Sequence, residues 1–358
     1  MTLLKKLFPG AKFESVSEAL VGKARERLDR LTKPVGSLGR VEAMAEKLYA
    51  INGGQTPLSV TPGIFYIFAG DHGVAQKNVS PYPREVTRQM VANFLRGGAA
   101  INCLTRAFDL SLRIVDAGCV GESFPPSPAL LERKLGNGTD DFTVGPAMSV
   151  ETCEKGLREG FALAENASLS GFRCVGVGEM GIANTTSAAA LYSVFLNLDP
   201  SKAVGPGTGA SPEMIERKVE VIRAAVKANS ESLESRDPLR LLAAFGGFEI
   251  VEMAGIMLGC AAFRLPFIVD GFISAAAYIA ARAFFPDIAG YAFLSHKSAE
   301  PGYAFAMERI GESPYLDFGM RLGEGTGAAL LYPMLRGACA IFNDMATMEE
   351  AGVSGEEG

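Results

Sequence analysis

The segment Arg321-Leu-Gly-Glu-Gly-Thr-Gly327 sets one acid, Glu324, between glycines immediately before an apolar helical stretch. Backbone approach is close there and solvent can be excluded. A carboxylate in that place can act as a general base, its pKa raised by burial and lowered by the helix N-terminus and Arg321. A helix-capping acid is the structural alternative.

A second acid lies in Gly176-Val-Gly-Glu-Met-Gly181, which follows an apolar strand, opens a helix and has the glycine spacing of a dinucleotide-binding turn. Taken literally, the segment belongs to an NAD-dependent oxidoreductase. Two features oppose that reading: Glu179 would stand beside the anionic pyrophosphate, and Asn184-Thr185-Thr186 offers amide and hydroxyl donors better suited to a single polar ligand. A purely structural turn is the third possibility.

Gly205-Pro-Gly-Thr-Gly209 precedes Ser211-Pro212-Glu213, a helix start with an N-cap serine, proline at the first position and an early acid. Backbone N–H groups of loop and helix can converge there on one phosphate. The Gly-Lys-Ser/Thr ending of a Walker loop is missing, which argues against triphosphate hydrolysis. Lys218, two turns into that helix, either reaches a phosphate or is solvated. The two histidines, His72 in Asp71-His72-Gly73 and His296 in Ser295-His296-Lys297-Ser298, close strands; they either line one cleft or are ordinary hydrogen-bonded loop residues. No Gly-x-Ser-x-Gly elbow is present and no cluster has metal-ligand spacing, so neither a serine hydrolase nor a metal site is expected.

These residues must be held by elements, and the apolar patterning says which. Ile64 to Phe68, Leu112 to Val115, Arg173 to Val177 and Phe267 to Val269 suit buried strands, most of them soon followed by Gly or Asp. Longer helical patterns alternate with them. That rhythm is α/β, a parallel sheet with crossover helices whose ligands gather at the carboxyl ends of the strands. Val86, Met90, Val91, Phe94 and Leu95 form one helix face, whereas residues 119–148 carry no clear element. Helical patterns run from Val16 to about Ile51 and from Gly325 to about Glu349. We expect a central α/β domain over 61–298 and a small discontinuous helical domain built from 1–60 and 299–358.

Composition narrows the function classes. The 358 residues are 48% hydrophobic and 21% charged, as in an ordinary globular protein. Lys and Arg number 34 against 40 acids, a formal charge of -6, so nucleic acid is not an expected partner. The longest uncharged apolar runs, Ala254 to Phe263 and Gly271 to Ala281, fall short of the roughly 18–20 residues of a membrane span. No signal-peptide pattern is read at the N-terminus, and six scattered cysteines without a Cys-x-x-Cys pair suggest reduced thiols; a cytoplasmic location is expected.

Taken together, the segments resemble the nicotinate-nucleotide:dimethylbenzimidazole phosphoribosyltransferase family of cobalamin lower-ligand assembly. The resemblance runs almost end to end: Lys33-Pro-Val-Gly-Ser-Leu-Gly-Arg40, Ala69-Gly-Asp-His-Gly-Val74, Val144-Gly-Pro-Ala-Met-Ser149, Gly176 to Thr186, Gly246-Gly-Phe248, Leu265-Pro-Phe-Ile-Val-Asp-Gly-Phe272, Ser295-His-Lys-Ser-Ala-Glu300 and Arg321 to Gly327. It implies a Rossmann-like parallel sheet with a small helical domain, a homodimer, and conversion of nicotinate mononucleotide and 5,6-dimethylbenzimidazole to α-ribazole 5'-phosphate and nicotinate. No cofactor is implied.

The resemblance also assigns residues. Glu324 falls on the catalytic base and Glu179 on a second active-site acid. Ser80 and Gln89-Met90 fall where the base pocket is expected, and Gly181, Gly207, Lys218 and Ser298 at phosphate or ribose positions. Beyond what the resemblance assigns, Asn184, Thr185, Leu322 and Gly323 are further candidate substrate contacts, and Met90, Phe94 and Leu322 are candidate apolar faces for the flat base or plain core. Ser80-Pro-Tyr-Pro-Arg84 and Gly205 to Gly209 are local variants, so acceptor preference and phosphate contacts are the least determined. A non-catalytic nucleotide-binding module and the oxidoreductase are the competing classes.

Overall fold

A computed structural model describes residues 2–207 and 209–354 and is built around a six-stranded sheet. The strands are β1 (Gly63–Gly70), β2 (Ser111–Gly118), β3 (Leu130–Glu132), β4 (Cys174–Met180), β5 (Phe267–Val269) and β6 (Ala292–Leu294), in the order β3-β2-β1-β4-β5-β6. Every neighbouring pair is parallel. All eight residues of β1 are buried, the pattern of a parallel strand covered by helices on both faces.

Strand order reverses between β1 and β4, and such a switch point leaves a crevice beyond the carboxyl ends. The β1–β4 register pairs Phe68 with Glu179 and Ala69 with Met180. Asp71-His72 and the Glu179–Gly181 stretch therefore leave the sheet side by side.

Helix Thr326–Asp344 links the two ends of the chain to this crevice. It packs against helix Arg40–Ile51, which in turn packs against helix Glu18–Asp29, and it also meets β4 and β5. Arg27 donates to the Phe342 carbonyl at 2.8 Å and Asn343 exchanges two hydrogen bonds of 2.8 Å with the Leu58 backbone. The final helical stretch is shorter than its pattern implies: it stops at Asp344, and a separate turn, Met348–Ala351, begins behind a capping box of Thr347 and Glu350.

The 119–148 region departs from expectation in containing an element, β3. Three residues on a sheet edge leave too short an apolar run to read. Its remainder is tied to the β1 end, where Val120 N–H donates to Asp71 Oδ2 at 2.7 Å and Thr139 N–H to the Asp71 carbonyl at 3.0 Å. Among the described residues, no helix is long and apolar enough to cross a membrane.

Candidate active site

The crevice gathers most of the expected residues into one cavity. Glu179, Gly181, Asn184, Thr185, Gly207, Ser298, Leu322, Gly323 and Glu324 line it, joined by His296, Glu300 and Arg321. A larger cleft lies between Asn197, Arg223 and Leu233, but convergent buried acids, not size, mark the candidate site.

Glu324 sits on a left-handed turn, with φ of 85° at Gly323, 61° at Glu324 and 77° at Gly325. A non-glycine residue there costs roughly 1–2 kcal/mol and persists only where its surroundings hold it. Two contacts hold it. A Cβ on Gly178 of β4 would lie 2.2 Å from the Gly325 nitrogen, so the turn rests directly on the strand. From the other side Asp270 Oδ2 accepts from Gly325 N–H at 2.8 Å. Glu324 is 7% exposed, and burial, reinforced by the Asp270 charge, pushes its carboxyl up to about 7.

Glu179, at the end of β4, accepts from Asn184 Nδ2 at 2.5 Å. Its other oxygen presses on the Glu324 turn, for a Cβ on Gly323 would lie 2.4 Å from Glu179 Oε1. Burial raises this carboxyl to about 8, helped by the charges of Asp270, Glu249 and Glu324 and opposed by the Asn184 bond. Two acids with elevated pKa thus face one cavity.

The dinucleotide reading of Gly176–Gly181 fails on geometry. Gly176 and Gly178 lie inside β4, where Gly176 makes room for the Phe65 ring and Gly178 for the Glu324 turn. Neither is in a loop wrapped around a pyrophosphate.

Lys218 lines a small adjoining pocket that shares Gly181, Asn184 and Thr185 with the cavity, and it is 3% exposed, which removes the solvated alternative. Its Nζ donates to Thr185 Oγ1 at 3.3 Å and to the Gly205 carbonyl at 3.4 Å. Burial lowers its pKa and the Glu300 charge opposes that. Arg321 donates to the Gly207 carbonyl at 3.4 Å. Ser211 caps helix Pro212–Ala228 as the sequence predicts, accepting from Met214 N–H at 3.3 Å; Thr208 of the glycine-rich loop lies outside the described residues.

The base-pocket candidates divide. Ser80 lines a small pocket shared with Gly181, Asn184, Thr185 and Lys218. Gln89 lines a separate cavity with Asp71, Arg84 and Val120, and Met90 is half-buried against the core. Phe94 is core. The cause is the amphipathic helix Glu85–Arg96, which turns Thr87, Val91 and Phe94 inward and leaves Gln89 on its outer side. Leu322, 54% exposed at the cavity, is the one apolar face of the three beside Glu324.

Sequence reading missed two buried acids. Asp270 holds the Glu324 turn; its only signal is an acid following a strand and preceding a glycine. Glu249 pairs with His72, Oε1 to Nε2 at 2.6 Å, both side chains fully buried, and nothing local announces it. His296 lines the cavity, whereas His72 is not among its lining residues. Among the described residues no group of three His, Cys, Asp or Glu is arranged to hold a metal.

Over 339 residues the chain is 53% identical to the nicotinate-nucleotide–dimethylbenzimidazole phosphoribosyltransferase of Nitratidesulfovibrio vulgaris (strain DP4), covering 95% of each. This chain belongs to the nicotinate-nucleotide–dimethylbenzimidazole phosphoribosyltransferase family. A family model described as phosphoribosyltransferase matches residues 13–353. The phosphoribosyltransferase of the same name from Geobacter sulfurreducens is 45% identical over 354 residues, 99% of each chain. The crystal structure of CobT from Thermus thermophilus superposes with a TM-score of 0.88 at 42% identity, over 94% of this chain and all of that one. In this phosphoribosyltransferase the cavity wall carries three buried acids, Glu179, Glu300 and Glu324, together with Arg321, and Lys218 lines the adjoining small pocket.

Proposed function

We propose that Glu324 is the general base of this enzyme, which converts nicotinate mononucleotide and 5,6-dimethylbenzimidazole, or a related base, to α-ribazole 5'-phosphate and nicotinate in cobalamin nucleotide-loop assembly. Nicotinate is attached as a pyridinium and departs as a neutral ring nitrogen, so the leaving group requires no acid. One nitrogen of the incoming base attacks the ribose anomeric carbon from the opposite face, and the bond to nicotinate breaks. The product ring is cationic unless its other N–H is lost. Glu324 takes that proton, an effect typically worth about 10²- to 10⁴-fold.

The observation that carries this reading is a buried acid at the cavity wall whose carboxyl is pushed up to about 7, near the operating pH of a base. Lys218, Thr185, Gly207, Gly181 and Ser298 hold phosphate and ribose, and remote binding of this kind positions the anomeric carbon for displacement. Asn184 holds Glu179, the second acid, beside the turn. Leu322 and Gly323 flank the incoming base, and Ser80, Gln89 and Met90 belong to its wider surround. The assembly is a homodimer in the cytoplasm; family resemblance supports the first, and five buried free cysteines with one exposed support a reducing compartment. The 61–298 body and the helical 1–60 and 299–358 segments form its two domains, a division supported by the packing of helix Thr326–Asp344 on helix Arg40–Ile51.

Chromatography of nicotinate and the new nucleotide tests the reading, with nicotinate mononucleotide supplied with and without 5,6-dimethylbenzimidazole. Base-dependent product that collapses in Glu324→Gln is expected. Unchanged product in the variant rejects Glu324 as the base, and no product with any of several bases favours a binding module.

A further inference from the structure

Asp270 follows β5 and is 1% exposed, and every hydrogen bond its side chain accepts comes from the segment carrying Glu324. Oδ2 accepts from Gly325 N–H at 2.8 Å, and Oδ1 accepts from Gly327 N–H at 2.7 Å and Ala328 N–H at 3.2 Å. These are N–H groups at the start of helix Thr326–Asp344, which lack partners within the helix. His296 Nδ1 stands 3.8 Å from Oδ1, and Ser295 Oγ donates to the Asp270 carbonyl at 2.8 Å. Among the described residues the Glu324 side chain makes no hydrogen bond of its own, so its φ of 61° is held through the neighbouring Gly325.

We propose that Asp270 is the positioning residue for Glu324, acting through the backbone of the Gly323–Ala328 turn and through its own negative charge without touching substrate. This rests on the reading of Glu324 as the base. Burial pushes the Asp270 carboxyl up, while His296 and the three N–H donors pull it back toward ionisation. Its charge is also what reinforces burial in raising Glu324. The other titratable or charged groups around Glu324 are Glu179 on β4, His296 after β6, Glu300 at the start of helix Pro301–Ile310 and Arg321 on the same segment, with Glu249, His72 and Lys218 beyond them.

The test measures kcat, KM for nicotinate mononucleotide, the pH profile of kcat and thermal melting for Asp270→Asn, Asp270→Glu, Glu324→Gln and the double variant Asp270→Asn/Glu324→Gln. Asp270→Asn is expected to melt cooperatively, keep KM within about 3-fold and lose roughly 10- to 100-fold in kcat, the scale of a small misplacement. Its acid limb should move to lower pH, because a negative neighbour is gone, whereas Asp270→Glu should keep the limb where it is. In the Glu324→Gln background the Asp270→Asn effect on kcat should shrink to less than about 3-fold, the non-additivity of residues acting as a unit. An unmoved limb, an equal loss in both backgrounds, or kcat within about 2-fold of wild type overturns the proposal. Should Asp270→Asn not fold, Asp270→Glu decides: lowered kcat with KM and limb retained supports positioning, and parallel changes in KM reject it. Failure of the base reading is separate, seen as Glu324→Gln alone keeping both kcat and its acid limb.

Discussion

Gly178 and Gly325 touch through their backbones: a Cβ on Gly178 would lie 2.2 Å from the Gly325 nitrogen and 2.7 Å from the Glu324 carbonyl carbon. A central strand thereby supports the turn that presents Glu324. Gly178→Ala must displace one or the other. The variant is expected to lose about 1–3 kcal/mol of stability and about 10²-fold in kcat. Urea unfolding and steady-state kinetics check this, and a wild-type kcat would mean that the turn does not need the contact.

The rate should climb with pH and level off above about 7, where Glu324 becomes ionised. A general base works only in its deprotonated form. A kcat profile from about pH 5 to about pH 9 locates the limb; its persistence in Glu324→Gln would assign it to another group.

Folding stability should fall with pH over the same range. Glu179 and Glu324 have carboxyls raised from 4.5 to about 8 and about 7 in the folded chain. The native state therefore keeps protons that the unfolded chain has released. That stabilisation is full below about pH 4.5 and is lost as pH rises through about 7 and about 8, with a slope of up to about 1.4 kcal/mol per pH unit for each group. Glu179→Gln should flatten the decline. Denaturation at about pH 6 and about pH 8.5 measures it, and equal slopes in both proteins would contradict the assignment.

Lys218→Ala should raise KM for nicotinate mononucleotide by roughly 10- to 100-fold, the range for losing a hydrogen bond to a charged group. Kinetics with the dephosphorylated nucleoside provide the control. If wild type and variant differ as much with that substrate, Lys218 is not a phosphate ligand.

Glu249→Ala leaves His72 without its partner, 2.6 Å away in the fully buried pair. Leaving a buried polar group without its hydrogen-bond partner typically costs about 1–3 kcal/mol. A melting temperature within a degree or two of wild type would show that the pair contributes little.

The strands from Ile64, Leu112, Arg173 and Phe267 are legible because each is a short, mostly apolar run, and the two acids are legible because glycines bracket them. The Ser211 cap and Lys218 follow from helix-start chemistry within a few residues of each other. Family resemblance adds the reaction, since many ordered motifs constrain it where any one glycine pattern does not. Tertiary structure alone decided what those glycines do: Gly176 and Gly178 serve strand packing because Phe65 and the Glu324 turn come to them from distant parts of the chain. It also decided which acids raise which, since Asp270 lies 55 residues from Gly325 and Glu249 lies 177 from His72. Gln89 could not be placed from its sequence, because the rotation of its helix is set by what Val91 and Phe94 bury against. Local patterning determines which segments form helix or strand; desolvation and charge at the site depend on through-space neighbours, which only the folded chain assembles.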